Sequence, residues 1–382
     1  MHAQAPSPWA VSDRGWELLR AVLGARDTPV GTTPKEAVWR KNKAHLYRYR
    51  RWTLPTRRTP VFLVGPLLIR RAYILDLRPG ASFVQFLLDR GFDVFVLDWL
   101  NTGGEDFHVN LDTLLTRYLL RALRKSSHAA GDRPMTMLGL SSGGVFGACL
   151  LALCPDAPVR NLILVSTPID FSDAGYFGTR NVGDLAEGGA RGEPLPGGHE
   201  KGLVSLAKLA EVFPGVPTQL PISNPPDLEY GCLSRMFNPL PRTLPMRLGA
   251  YVRLWDRLGD PQFDVRDWQA MYRWLNDWVA FPSTAFRQWV EDFYRLNKLA
   301  RGKLQLAGRT VCLSNIRHPL LSVAGLSDTV TPRSSTGAIM RLVGSEDREE
   351  LVVEGGHVGI VVGRGASTDV WPRIADWLER HD

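Results

Sequence analysis

Met135-Thr-Met-Leu138, then Gly139-Leu140-Ser141-Ser142-Gly143, then the apolar run from Val145 to Leu153: this stretch decides the fold. The short apolar segment reads as a buried strand, and the longer run after the box reads as a buried helix. Between them stands a G-x-S-x-G sequence, the setting of a nucleophile elbow, in which a serine rides on a sharp strand-to-helix turn. Such a serine takes a strained backbone conformation, and its neighbours two positions away must be small to avoid each other; Gly139 and Gly143 meet that need. The phase of the box selects Ser141 over Ser142, because a box centred on Ser142 would need glycine where Leu140 stands.

Upstream, Pro60-Val-Phe-Leu-Val64 and Asp93-Val-Phe-Val-Leu97 read as strands. The helix between them can be capped by Ser82, buries Phe83, Phe86 and Leu87 on one face, and can end at Gly91 in the left-handed conformation. Asn161-Leu-Ile-Leu-Val165, Pro319-Leu-Leu-Ser-Val323 and Leu351-Val-Val353 continue the series downstream. Strands alternating with helices predict an α/β protein whose mostly parallel central sheet is covered on both faces, the α/β-hydrolase arrangement. Residues 60–170 and 309–382 are expected to form this core, with 1–59 as an N-terminal segment packing on it. The alternation stops between 171 and 308, which is expected to be a mostly helical cap insertion. Within it, Gly183–Gly198 and Pro214–Pro226 read as loops. Trp268, Met271, Trp274 and Trp278, and then Phe286, Trp289, Val290 and Phe293, recur at helical spacing and read as core aromatics. The basic run His45-Leu-Tyr-Arg-Tyr-Arg-Arg-Trp52 reads as an edge strand with a solvated basic face.

Composition removes several classes. The 382 residues carry a net charge of +7, but the charges are interspersed, so no nucleic-acid partner is expected. Four cysteines without a CxxC pair argue against a zinc site or a disulfide framework and fit a reducing, cytoplasmic setting. Met1 to Arg20 lacks the continuous apolar core of a signal peptide, and no apolar run approaches the roughly 18 residues of a membrane span. No metal-ligand cluster, phosphate loop or dinucleotide fingerprint is present, so neither metal nor cofactor is expected.

A serine hydroxyl is a poor nucleophile until a base takes its proton, and that base needs an acid to orient it. The chain order serine, carboxylate, histidine points to Asp328 after the Pro319–Val323 strand and His357 after Leu351–Val353. His108 and Asp98 also follow a strand but stand in the wrong order. The oxyanion donors expected are the backbone N–H groups of Ser142 and Leu67, since Pro66 has none to give.

At these residues the sequence resembles the catalytic subunit of polyhydroxyalkanoate synthases, particularly the short class III type. The likeness runs from about Thr33 to Trp377. It is carried by Thr33-Pro-Lys-Glu-Ala-Val-Trp39 with Leu46-Tyr-Arg-Tyr-Arg50, by Arg71-Ala-Tyr-Ile-Leu-Asp-Leu-Arg-Pro-Gly80 and by Gly91-Phe-Asp-Val-Phe-Val-Leu-Asp-Trp99. Thr167-Pro-Ile-Asp-Phe-Ser172, Phe286-Arg-Gln with Asp292-Phe-Tyr, and Gly355-Gly-His-Val-Gly359 add to it. The resemblance implies an α/β-hydrolase core with a cap, a Cys–His–Asp triad, (R)-3-hydroxyacyl-CoA as substrate and a polyester product, often with a second subunit. The departure falls on the nucleophile, which is Ser141 here, and on 174–230, which looks longer and unlike the family cap. The resulting expectation is acyl transfer through a covalent acyl-Ser141, first as hydrolysis of a hydroxyalkanoate ester or hydroxyacyl-CoA thioester. A serine-dependent polymerase is the alternative, and a catalytically silent, granule-associated binding protein is the third reading. Expected partners are the ester or acyl-CoA substrate, a second synthase-type subunit or a homodimer, and a polyester granule surface.

Overall fold

Val61-Phe-Leu-Val64 is buried at every position, as a strand covered on both faces must be, and it lies between two parallel neighbours. The computed structural model describes residues 13–50, 55–66, 71–99, 104–106, 108–173, 251, 254–258, 260, 263–277, 279, 282–363 and 365–382. Eight strands form the main sheet: β1 (Lys35–Lys41), β2 (Ala44–Tyr49), β3 (Val61–Val64), β4 (Val94–Trp99), β5 (Met135–Leu140), β6 (Val159–Val165), β7 (Leu320–Gly325) and β8 (Arg348–Val353). Their order is β1-β2-β4-β3-β5-β6-β7-β8. β3 to β8 pair in parallel, whereas β1 with β2 and β2 with β4 are antiparallel. The six strands expected from the apolar runs are all present.

The longer α-helices are α1 (Asp13–Gly24), α2 (Phe83–Asp89), α3 (Leu120–Ala129), α4 (Ser142–Leu153), α5 (Val265–Asn276), α6 (Ser283–Gln288) and α7 (Trp371–Arg380). Ser82 caps α2 by accepting the Gln85 N–H at 3.0 Å, and Gly91 follows its end at φ 95°. α4 is buried along its whole length, as a helix apolar all round requires. Trp274, Phe286, Trp289, Val290 and Phe293 are buried, and the Trp289 ring packs 4.5 Å from Phe293 and 5.2 Å from Phe146 of α4. Trp278, both expected loops at 183–198 and 214–226, and the whole of 174–230 lie outside the described residues.

Contacts divide the described residues into two units. One contains the sheet and comprises those of 29–173 and 270–382; the other comprises those of 13–28 and 251–269. In the smaller unit, Gln269 donates to the Ala21 carbonyl of α1 at 2.9 Å and accepts from the Thr28 hydroxyl at 3.1 Å. Among the described residues no helix is long and apolar enough to cross a membrane.

One expectation needs correction. The run beginning at His45 forms β2, which is not an edge, because β1 pairs with its outer side through a hairpin that turns on Asn42 at φ 49°. Its basic face is not simply solvated either. Arg48 makes a two-pronged pair with the buried Asp93 carboxylate, at 2.9 and 2.8 Å, and Arg133 approaches the same carboxylate at 3.4 Å. The two guanidiniums supply the counter-charge that a carboxylate so enclosed needs. Removing it by Asp93→Ala leaves Arg48 without its counter-charge, and half-exposure of Arg48 limits the cost to about 2–3 kcal/mol. Urea denaturation should show this as a lower midpoint with an unchanged slope; a midpoint like the wild type's would refute it.

Candidate active site

β5 ends at Leu140, and the next residue, Ser141, takes φ 53° and ψ −122°, a backbone region non-glycine residues rarely occupy. Its N–H donates to the Val165 carbonyl of β6 at 2.8 Å, and the Gly144 N–H returns to the Ser141 carbonyl at 3.0 Å. A Cβ at Gly139 would collide with the Gly144 backbone, and one at Gly143 with the Val64 and Gly65 carbonyls. The Gly139 Cβ would also lie 2.9 Å from the Gly143 carbonyl carbon, the mutual approach expected from the sequence, and Gly143 in addition clears the end of β3. Gly144, whose Cβ would strike Thr167, is a third required glycine that the box pattern does not name.

Asp328 stands in the loop after β7 and His357 in the loop after β8. The two strands end level, with Gly325 paired to Val353, and the loops are tied by the Leu326 N–H to Val353 and the Ser327 N–H to Gly355, at 2.9 and 3.0 Å. This brings the three expected residues together. His357 Nε2 lies 3.1 Å from Ser141 Oγ, and His357 Nδ1 lies 2.9 Å from Asp328 Oδ2. The other carboxylate oxygen, Oδ1, accepts the Val330 and Thr331 N–H groups at 2.9 and 2.8 Å. Burial pushes the Asp328 carboxyl up, but the hydrogen bond and charge of His357 and the Thr331 N–H and hydroxyl outweigh it and hold the group below its ordinary value.

Thr331 is the member of this site that the sequence reading missed. Its hydroxyl touches both Asp328 and His357. The signal available was a threonine three residues after the acid in Ser327-Asp-Thr-Val-Thr331, the spacing of a side-chain-to-backbone turn.

The alternatives stand elsewhere. Asp98 at the end of β4 is committed to Arg71, at 2.8 Å, and to the Ala72 N–H, at 3.1 Å. His108 is exposed. Cys149, in the middle of α4, is fully enclosed, and burial pushes its thiol far up, so it offers no thiolate near the elbow. Of the two expected oxyanion donors, Ser142 is buried at the start of α4, and Leu67 lies outside the described residues.

A mostly parallel sheet with this strand order, a strained serine at the end of its fifth strand and an aspartate and a histidine from the loops after its seventh and eighth define an enzyme of the α/β-hydrolase fold. Residues 77–191 match the family described as alpha/beta hydrolase fold, and 26–87 match the family described as the poly-beta-hydroxybutyrate polymerase (PhaC) N-terminus. The poly(3-hydroxyalkanoate) polymerase subunit PhaC of Haloferax mediterranei is 31% identical over 92% of this chain and 65% of its own length. That of Allochromatium vinosum is 30% identical over 94% of this chain and 92% of its own, and that of Synechocystis sp. 29% identical over 95% and 89%. Among solved structures, an alpha/beta fold family hydrolase from Bacillus anthracis aligns over 89% of this chain and 98% of its own with a TM-score of 0.48 and 10% identity. The chain belongs to the family of poly(3-hydroxyalkanoate) polymerase PhaC subunits.

Two outcomes follow from the geometry. Gly143→Ala meets backbone that no side-chain rotation can clear, so it should cost about 2–4 kcal/mol, whereas Gly147→Ala meets only the flexible Met137 sulfur at 2.9 Å and should stay within about 1 kcal/mol. Equal urea midpoints for the two variants would contradict this. Because the Asp328 carboxyl is held below its unfolded value of about 3.9, it contributes stability that is fully present above that pH and lost as pH falls through the lower folded value. Asp328→Asn should therefore lose melting temperature less steeply than the wild type between about pH 5 and pH 3, and parallel slopes would show that the pairing carries no such linkage.

Proposed function

We propose that this chain is a serine-dependent acyltransferase that builds a hydroxyalkanoate polyester from a 3-hydroxyacyl-CoA thioester. The observation that carries the reading is the hydrogen-bonded line from Ser141 Oγ through the His357 ring to Asp328, found in a member of a polymerase family. Sequence alone put hydrolysis first; the names of the relatives reverse that order.

In the first half-reaction His357 Nε2 takes the Ser141 proton as Oγ attacks the thioester carbonyl. The C–S bond breaks, the leaving thiolate receives that proton from the imidazolium, and an acyl ester remains on Ser141. In the second, His357 takes the proton of the 3-hydroxyl of an incoming hydroxyacyl group as that oxygen attacks the acyl-serine carbonyl; the bond from the carbonyl carbon to Ser141 Oγ breaks, and the imidazolium gives its proton to the departing Oγ. Asp328 holds the imidazole in one tautomer and stabilises its charged form without taking the proton. The Ser142 and Leu67 N–H groups are the proposed oxyanion donors, and residues 171–308 the proposed cap of a core formed by 60–170 and 309–382. A second synthase-type subunit or a second copy is the proposed protein partner, at a polyester granule surface in the cytoplasm.

Hydrolysis is retained as a second reading because of Ser141 itself, since the serine ester left by the first step is the intermediate that esterases pass to water. The silent binding protein is the weakest reading, because a site without turnover has no use for the aligned Ser141, His357 and Asp328.

Purified protein assayed side by side with a p-nitrophenyl ester and 3-hydroxybutyryl-CoA, with free acid separated from polymer, decides between the first two. Polymer with little free acid is the expected outcome, and free acid alone would install hydrolysis in its place. Ser141→Ala and His357→Ala should each lose at least about a thousandfold in turnover, Asp328→Asn somewhat less, and Asp98→Asn little. Labelling by a serine-directed phosphonate that persists in Ser141→Ala would sink the nucleophile assignment.

A further inference from the structure

Thr331 Oγ1 sits among three groups that all concern the imidazole. It lies 2.8 Å from Asp328 Oδ2, 3.0 Å from His357 Nδ1 and 3.2 Å from the Ser166 carbonyl oxygen. Each of these positions is fixed. Thr331 is 3% exposed; Ser166 is fully buried at φ 45°, its N–H donating to the Val323 carbonyl at 2.9 Å and its hydroxyl donating to the His357 carbonyl at 3.4 Å.

A hydroxyl carries one hydrogen and two lone pairs, so Thr331 can donate to Asp328 or to Ser166 but not to both. While His357 is neutral, its Nδ1–H and the Thr331 O–H both donate to Asp328 Oδ2. Two donors on one oxygen draw charge from it. If the Thr331 hydrogen turns to the Ser166 carbonyl, the carboxylate oxygen faces the imidazole alone, and a Thr331 lone pair is freed toward Nδ1–H. That second arrangement favours the charged ring.

Resting on the triad reading above, we propose that Thr331 is a positioning residue whose hydroxyl has two settings, toward Asp328 when His357 is neutral and toward the Ser166 carbonyl when His357 is protonated. No bond breaks and no proton changes owner in the switch; only the Thr331 O–H rotates. The imidazolium exists while Ser141 attacks and while the leaving group departs, so the gain falls on the transition state and not on substrate binding. A hydroxyl that donated to Asp328 throughout would act in the opposite sense, blunting the carboxylate and weakening the base.

The test compares wild type, Thr331→Val, which keeps the shape and removes the hydroxyl, and Thr331→Ser, which keeps the hydroxyl. Each is measured for kcat, KM and the acid limb of the pH–rate profile on a p-nitrophenyl ester and on 3-hydroxybutyryl-CoA. Thr331→Val should lose about tenfold in kcat with KM within about twofold, and its acid limb should move to lower pH, because the ring holds its proton less tightly. Thr331→Ser should recover most of the loss, and Thr331→Ala replaces Thr331→Val if the latter fails to fold by thermal melt. An unchanged kcat, or an acid limb moved to higher pH with kcat undiminished, overturns the proposal and leaves a fixed donor. Ser141→Ala in parallel separates the two levels: an inert Ser141→Ala beside an unaltered Thr331→Val condemns this proposal alone, and an active Ser141→Ala condemns the triad reading and this proposal with it.

Discussion

Ser141 is held at a positive φ that costs of order 1–3 kcal/mol for a residue with a side chain, and such strain persists only where the surroundings over-determine it. Here they do so through three backbone approaches. Gly139 lies against Gly144, Gly143 against the last carbonyls of β3, and Gly144 against Thr167 after β6. The start of α4 is thereby wedged between the ends of β3, β5 and β6, and the N–H of Ser141 closes the arrangement on the Val165 carbonyl. Relaxing the serine to an ordinary conformation would require those strands to move apart, and they are hydrogen-bonded in register on both sides of β5.

The same register brings distant residues into one plane. Leu140 pairs with Val165, Val165 with Val323, and Gly325 with Val353, so β5 and β6 finish at one level, β7 and β8 two residues further on, and the loops that follow converge. Ser141 and His357 are 216 positions apart in sequence yet within hydrogen-bonding reach. Ser166, directly after β6, also has a positive φ and lies between the elbow and the acid loop in sheet order. Its carbonyl lies 3.2 Å from the Thr331 hydroxyl while its side chain donates to the His357 carbonyl, so the strand that contributes no member of the triad still ties the histidine loop to the acid loop.

How far the sequence could be read follows from where its information lies. Strands buried on both faces write themselves as unbroken apolar runs, so β3 to β7 are legible, and the edge strand β8, whose first half is charged and exposed, shows only by its apolar end Leu351–Val353. β1 is not, because at an edge its side chains alternate between exposed and half-buried and carry charges, Lys35, Glu36, Arg40 and Lys41. The basic residues of β2 hid their setting for a related reason: the partner of Arg48 is Asp93, 45 positions away. Ser141, Asp328 and His357 were legible because chain order and strand ends constrain them. Thr331 was not, since its role depends on a carbonyl 165 residues away. The placement of Leu67 and of 174–230 lies outside the described residues, and there the sequence expectation stands alone.

Under the proposed mechanism, Ser141 in place of the thiol that the family resemblance implies moves energy between steps without changing the sum. A thioester is more activated than an oxyester, so loading a cysteine from CoA is close to even and the following transfer to a hydroxyl is downhill. With serine the drop comes at loading, and transfer from the acyl-serine to the next 3-hydroxyl exchanges one oxyester for another. Neither route forbids chain growth. What serine removes is the bias of the second step, because an oxyester is also the ordinary substrate of attack by water. The outcome then depends on which hydroxyl reaches the acyl-serine under the same base, His357, and so on how completely the site excludes water while admitting a second acyl chain. On that proposal polymer or free acid is decided by access, and the His357 ring that would serve either attack is held by Asp328, which the Thr331 hydroxyl also touches.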